Sequence, residues 1–289
     1  MNKAEHLVAR AEGLLTRLEA LFYALSRTVD WKATAWRWQK IDGKYQLHAV
    51  DNPQQISLQN IKFVDVQKAE IVRNTRQFLA GLTANNVLLT GARGTGKSSL
   101  IKALLTEYAS QGLRLIEVEK HDLVQLPDIV NLIKNSTETA NLKFIIFCDD
   151  LTFEANDESY KALKVVLDGS IANTADNILV YATSNRKNLM PEFMADNLPT
   201  NSNGEIRPND TIDEKTALAE RFGLWLSFYA FDQDEYLAIC KSWLNTLDIA
   251  WDAAAERAAL AFTHTRGARS GRVAYQFARD YAGKLRLLP

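Results

Sequence analysis

The sequence is poor in sulfur and in histidine, with two cysteines and four histidines among 289 residues. Cys148 and Cys240 lie far apart, Cys148 inside an apolar run, and neither has a partner at metal-ligand spacing. So sparse a cysteine content fits a reducing, cytoplasmic compartment. His6, His48, His121 and His264 form no local cluster either. No run of about 18 apolar residues is present to cross a bilayer, and acidic residues arrive before any apolar signal core, so no membrane partner is expected. Charge of one sign is also missing. Lys plus Arg number 34 and Asp plus Glu 35, a net charge of −1, so no global field draws the chain to nucleic acid or anionic lipid. There is no internal repeat and no low-complexity tract. What remains is a chain that is 47% hydrophobic, long enough to bury a large core and to divide into more than one domain.

Against that background one stretch stands out. Asn86-Val-Leu-Leu-Thr90 is a β-prone apolar run, and Ser99-Leu-Ile-Lys-Ala-Leu-Leu105 is helix-forming. Between them lies the loop Gly91, Ala92, Arg93, Gly94, Thr95, Gly96, Lys97, Ser98, which meets every fixed position of G-x-x-x-x-G-K-[ST]. The residue types follow from the chemistry. Glycines let backbone N–H groups curl around phosphate oxygens, and the start of the following helix, at Ser99, adds partial positive charge. Lys97 reaches the β- and γ-phosphates, and the Ser98 hydroxyl can ligate Mg²⁺. An ordinary Gly-rich turn would not need a strand before it and a helix after it. The stretch predicts binding of a nucleoside triphosphate.

Residues 3–28 place Leu7, Ala11, Leu14, Leu18, Leu21 and Leu25 on one helical face. Trp36 and Trp38 then alternate with Arg37 and Gln39, Asp42-Gly43 makes a turn, and Tyr45 to Val50 runs extended, which together predict a β-hairpin. Its aromatics beside basic residues have the makings of a base-stacking surface, but the core of a small subdomain is the favoured reading. Asn52-Pro53 marks a linker over about 51–60. From residue 61 helices and strands alternate: helix 66–80, strand 86–90, helix 97–110, strand 114–118, helix 124–135, strand 143–148, helix 157–168 and strand 177–183. That order predicts a parallel sheet with right-handed crossovers and helices on both faces. Residues 191–211 carry three of the six prolines and little periodicity, and read as a surface loop. A helix at 213–221 and an extended run 224–231 complete the sheet. Three helices at 232–245, 251–263 and 270–286 form an all-α tail.

A second constellation lies about fifty residues past the loop. Phe144-Ile-Ile-Phe-Cys-Asp149-Asp150 is an apolar strand ending in two carboxylates. In a P-loop enzyme the acid that ends the strand beside the P-loop strand holds Mg²⁺, and Asp149 fits that position. Asp150 stands where it can polarise an attacking water.

With these motifs in order, the chain resembles an AAA+ ATPase. The runs GARGTGKSSL, FCDDLTFE, YATSNRKNL, AERFGLWLSF and RSGRVAYQFARD resemble an uncharacterised bacterial family of AAA+-type ATP-binding proteins. The likeness spans roughly residues 60–286 and is weaker before that. It implies that Asn185 is the sensor-1 residue orienting the hydrolytic water. It implies that Arg221 is an arginine finger reaching a neighbouring subunit, against the plainer reading of a surface ion pair with Glu220 or Glu214. Arg272 resembles the sensor-2 arginine of a helical lid, with Arg269 as competitor. Val64 and Val66 fall where such proteins hold adenine. One departure concerns the base: the family pattern has Glu where this chain has Asp150, one methylene shorter, and Glu154 is a second candidate.

The expectation is therefore a P-loop NTPase α/β domain over 61–231, an N-terminal helix-and-hairpin extension over 1–60, and an α-helical lid over 232–289. Its cofactors are ATP and Mg²⁺. Its activity is slow ATP hydrolysis coupled to remodelling of a protein or nucleic-acid partner, in a homo-oligomer. The alternatives are a nucleotide-gated loader or switch that hydrolyses little, and a P-loop kinase of a small molecule. Basic residues from Arg266 to Arg286 crowd the C-terminus, and a solvated helix face plus one sensor arginine accounts for them.

Overall fold

A computed structural model describes residues 29–153, 157–167, 176–186 and 218–287. The expected helix at 3–28, the loop at 191–211, most of the helix at 213–221, and Glu154 lie outside the described residues.

The elements of the sheet are β1 (Ala35–Ile41), β2 (Lys44–Ala49), β3 (Val87–Gly91), β4 (Leu113–Val118), β5 (Lys143–Cys148), β6 (Ile178–Ser184) and β7 (Leu224–Phe228). They form one seven-stranded sheet in the order β2-β1-β4-β5-β6-β3-β7. Every pairing is parallel except that of β1 with β2. The helices are α1 (Asp65–Leu79), α2 (Lys97–Tyr108), α3 (Leu126–Lys134) and α4 (Glu158–Leu167) around the sheet, then α5 (Gln233–Thr246), α6 (Ala253–Arg266) and α7 (Gly271–Leu287).

Alternation along each strand divides the core into two layers. On β5, Phe144, Ile146 and Cys148 join one layer with Leu126, Ile129 and Ile133 of α3. Ile145 and Phe147 join the other, with Ile71 and Phe78 of α1 and Leu100, Ile101 and Leu104 of α2. The strand is covered on both faces, as its continuous apolar run requires. Burial lifts the Cys148 thiol to about 12, assisted by the neighbouring Asp149 charge, so this cysteine is a core residue and not a reactive one.

The hairpin forms with the expected turn, Asp42 and Gly43 both taking positive φ (50° and 79°). Its place differs from the expected small subdomain. β1 pairs in parallel with β4, Ala35 opposite Leu115 and Trp38 opposite Val118, so the hairpin lengthens the main sheet by two strands. Trp36 (1% exposed) and Trp38 (4% exposed) are core side chains and offer no surface to a base. Trp36 and Phe144 both lie 5.5 Å from Trp31, tying the hairpin to the centre of the sheet.

The C-terminal helices have an apolar cluster of their own, built on Tyr236, Cys240 and Leu244 of α5, Ala255 and Ala259 of α6, and Phe277 and Ala278 of α7. Asp232 and Glu235 make a reciprocal capping box at the start of α5, Asp252 caps α6, and Gly267 ends α6 in the left-handed conformation.

Candidate nucleotide-binding site

β3 delivers the P-loop and α2 carries it away. Ala92 N–H donates to the Phe228 carbonyl at 3.0 Å, which fastens the start of the loop to the end of β7. The approach is so close that a Cβ on Gly91 would lie 1.9 Å from the Phe228 oxygen. Thr95 is buried and its Oγ1 donates to the Ala92 carbonyl at 2.9 Å, closing the loop on itself. Gly96 caps α2 in the left-handed conformation, φ 96°. Arg93 is exposed, while Ser98 and Ser99 open α2 half-buried.

Lys97 is 5% exposed. Its Nζ donates to the carbonyls of Gly91 (2.8 Å) and Ala92 (2.7 Å) and to Asn185 Oδ1 (3.1 Å). Burial pushes its pKa below the ordinary lysine value, opposed by the charges of Asp149 and Asp150. Neutral carbonyls and an amide are its hydrogen-bond acceptors, so the site favours an anion arriving at this ammonium.

The acids arrive from β5, which is not the strand beside β3 as expected but is separated from it by β6, and they meet the end of β6. Ser98 Oγ donates to Asp149 Oδ1 at 2.6 Å, and Thr183 Oγ1 donates to the same oxygen at 2.5 Å. Asp150 takes a left-handed φ of 52°, its N–H donates to Thr183 Oγ1 at 2.9 Å, and its Oδ1 accepts from Asn185 Nδ2 at 2.5 Å. Asn185 therefore stands between the P-loop lysine and the second acid. Hydroxyl and carboxylate are hard oxygen donors of the kind Mg²⁺ prefers, and their closeness suits an ion that takes its remaining ligands from phosphate and water. No group of three His, Cys, Asp or Glu assembles as a separate metal site among the described residues.

The C-terminal helices close on the loop from the other side. Gly271 N–H donates to the Gly94 carbonyl at 2.8 Å. A Cβ on Gly94 would fall 2.8 Å from Ser270 and 3.5 Å from Arg272 Cβ, so Arg272 springs from beside the P-loop. Arg269 instead reaches Gln233 at 3.4 Å, across to α5. Arg221 is half-buried after the short helical stretch that precedes β7, with its N–H on the Leu218 carbonyl (3.2 Å), and its neighbours Leu218, Ala219 and Phe222 pack into the core layer that also holds Leu151 and Phe153. Of the two residues expected near adenine, Val64 packs into the core with Ile61, whereas Val66 is 74% exposed.

Sequence reasoning missed four contributors. Thr183 joins the two acids. Ser270 shapes the contact with Gly94. Phe63, held at φ 59°, lies edge-on to Phe231 at 6.4 Å, and Ile61 stands 3.5 Å from a Cβ on Gly96. A non-glycine residue at positive φ just before α1 signals a constrained entry that periodicity cannot reveal.

This is the AAA+ P-loop ATPase fold, and comparison with solved structures agrees. The Thermotoga maritima RuvB Holliday junction branch migration motor matches with a TM-score of 0.50 at 15% identity, over 77% of this chain and 63% of that one. The Aeropyrum pernix Orc1 protein, solved in complex with DNA, matches with a TM-score of 0.52 at 13% identity, over 78% of this chain and 60% of that one. The chain thus spans less than two thirds of the length of either structure. No curated protein matches the sequence. The chain belongs to the family described as "Protein of unknown function (DUF815)", whose model matches residues 31–285.

Proposed function

We propose that the protein is a cytoplasmic ATPase that binds Mg·ATP at the P-loop and hydrolyses it at contacts between copies of itself, to remodel a protein or nucleic-acid partner. One observation carries the reading. Lys97, Asn185, Asp150, Thr183, Asp149 and Ser98 are linked by successive hydrogen bonds, although they come from three separate stretches of chain. The three stretches are thereby bonded to one another beside the P-loop lysine.

In this reading the loop N–H groups and Lys97 bind the phosphates. Ser98 and Asp149 hold Mg²⁺, which when bound neutralises charge on the β- and γ-phosphates. Asp150 accepts the proton of the attacking water, and Asn185 orients that water. Arg272 serves the nucleotide of its own chain from the lid, because it starts beside Gly94, and Arg221 serves that of a neighbour. Phe63, half exposed, lines the approach for the base, next to the buried Val64 and Ile61. Positioned charges, with little covalent chemistry, supply the acceleration.

A second reading, a nucleotide-gated switch with little turnover, draws support from Asp150. Its carboxylate is shorter than a glutamate and is already engaged by Asn185. Phosphate release in the presence of Mg·ATP and no acceptor, compared with Lys97→Ala, tests both. Turnover above the variant supports the ATPase, and tight binding without turnover supports the switch. Turnover that needs an added acceptor would make the protein a kinase.

A further inference from the structure

The ladder between β5 and β6 stops at Cys148 opposite Ala182, so both acids lie beyond the reach of strand pairing. What holds them is Thr183, 2% exposed near the end of β6. Its hydroxyl donates to Asp149 Oδ1 (2.5 Å) and accepts the Asp150 N–H (2.9 Å), while its carbonyl accepts the Leu151 N–H (2.7 Å). Three consecutive residues after the strand hang on this one residue. The middle one, Asp150, is in the left-handed region, φ 52°, a conformation uncommon for residues other than glycine, and here the Thr183 hydroxyl accepts its N–H. One group must donate and accept at once for this, which a hydroxyl does and a methyl cannot.

We propose that Thr183 is a positioning residue for both acids. Its hydroxyl turns the Asp149 carboxylate toward Ser98, where the metal is to be held. The same oxygen, through the Asp150 N–H, fixes the left-handed turn that presents the Asp150 carboxylate to Asn185. Thr183 itself touches neither nucleotide nor the reacting atoms. The proposal rests on the reading of this site as one for Mg·ATP. Its consequence is a split. Metal response and turnover share one hydroxyl, whereas the grip of the P-loop on the phosphates is independent of it.

The test compares wild type, Thr183→Val, which keeps the shape, and Thr183→Ser, which keeps the hydroxyl. Binding of a fluorescent ATP analogue in EDTA should be the same in all three. In Thr183→Val the Mg²⁺ concentration that tightens binding should rise about tenfold, and kcat should fall about 10- to 100-fold, the range for losing a group that orients a metal ligand. Thr183→Ser should restore both. Without nucleotide, hydrogen exchange at the Asp150 amide should be slow in wild type and faster in Thr183→Val. Wild-type metal requirement and kcat in Thr183→Val would overturn the proposal while leaving the Mg·ATP site standing. Absence of Mg²⁺-tightened binding in wild type would overturn the site reading and the proposal together. If Thr183→Val does not fold, the proposal still falls should Thr183→Ser lose the metal response, or should the wild-type Asp150 amide exchange rapidly.

Discussion

The carbonyl of Gly94, in the middle of the P-loop, accepts the N–H of Gly271, the first residue of α7, at 2.8 Å. The P-loop is thereby bonded to the helix that carries Arg272. Gly94 serves this contact twice, through its φ of 73° and through the missing Cβ that would otherwise lie 2.8 Å from Ser270. Gly94→Ala should undock the helices, read as faster proteolysis between residues 229 and 232, and weaken ATP binding. Strain of about 1 kcal/mol from the positive φ alone predicts a melting temperature lower by roughly 2–4 °C. Adding Ser270→Gly removes the colliding atoms at a capping cost of only a few tenths of a kcal/mol, so the double variant should recover part of the loss. Equal melting of single and double variants would place the whole cost in the backbone.

Lys97→Ala should abolish ATP binding and leave the fold intact, as judged by titration and circular dichroism. Retention of wild-type affinity would remove the P-loop from the mechanism. The lysine also predicts a pH dependence. Burial lowers its pKa in the folded chain, so the unfolded chain binds more protons between the two values and stability rises with pH across that window. Bound phosphates favour the ammonium, so ATP binding should take up protons on the alkaline side and weaken as pH rises through the lowered pKa. Calorimetry in two buffers of different ionisation enthalpy measures that uptake, which Lys97→Arg should lack.

The two carboxylates should separate by role. Asp149→Asn is expected to weaken Mg²⁺-dependent binding, since it removes charge from the oxygen that Ser98 and Thr183 approach. Asp150→Asn should bind Mg·ATP normally and stop turnover. Normal hydrolysis by Asp150→Asn with loss in Glu154→Gln would move the base to Glu154.

Assembly is tested through Arg221. An arginine supplied to the γ-phosphate of a neighbour raises turnover by about 10³-fold or more. Specific activity should therefore rise with protein concentration, and Arg221→Ala should bind ATP yet hydrolyse little. Mixing Arg221→Ala with Lys97→Ala should restore part of the rate, one supplying the site and the other the arginine. A concentration-independent rate without rescue would leave Arg221 a structural residue of a monomer.

Neighbouring residues of β1 should differ sharply in stability. Trp36→Ala empties a fully buried position and should cost about 3–5 kcal/mol in urea unfolding. Arg37, on the opposite face, pairs with Glu117 at 3.0 Å with half of its side chain in solvent, and Arg37→Ala should cost under about 1 kcal/mol. Similar costs at both positions would mean that the hairpin is not part of the main sheet.

The P-loop was legible because its chemistry is local. Eight consecutive residues between a strand and a helix carry the glycines, the lysine and the serine, and the structure bends them as their types demand. Asp149 was legible for a related reason, since it ends an apolar run and strand ends in a parallel sheet face one crevice, whereas Asn185 was singled out only by the family resemblance. The order of the strands was not. Alternation of Trp36 and Trp38 with Arg37 and Gln39 marks a strand with one buried face, but nothing within those residues names β4, about 80 positions on, as the neighbour of β1. Thr183 looked like any strand threonine until β5 and β6 were side by side, and Gly94 like any loop glycine until α7 came down on it. Val66, placed near the base by position in the chain, is exposed in the first turn of α1, while Val64, the non-helical residue just before that helix, packs into the core. Short-range chemistry was written in the residues themselves. Which distant residues meet was decided by packing, because a contact across the sheet depends on the register of strands that share no sequence signal.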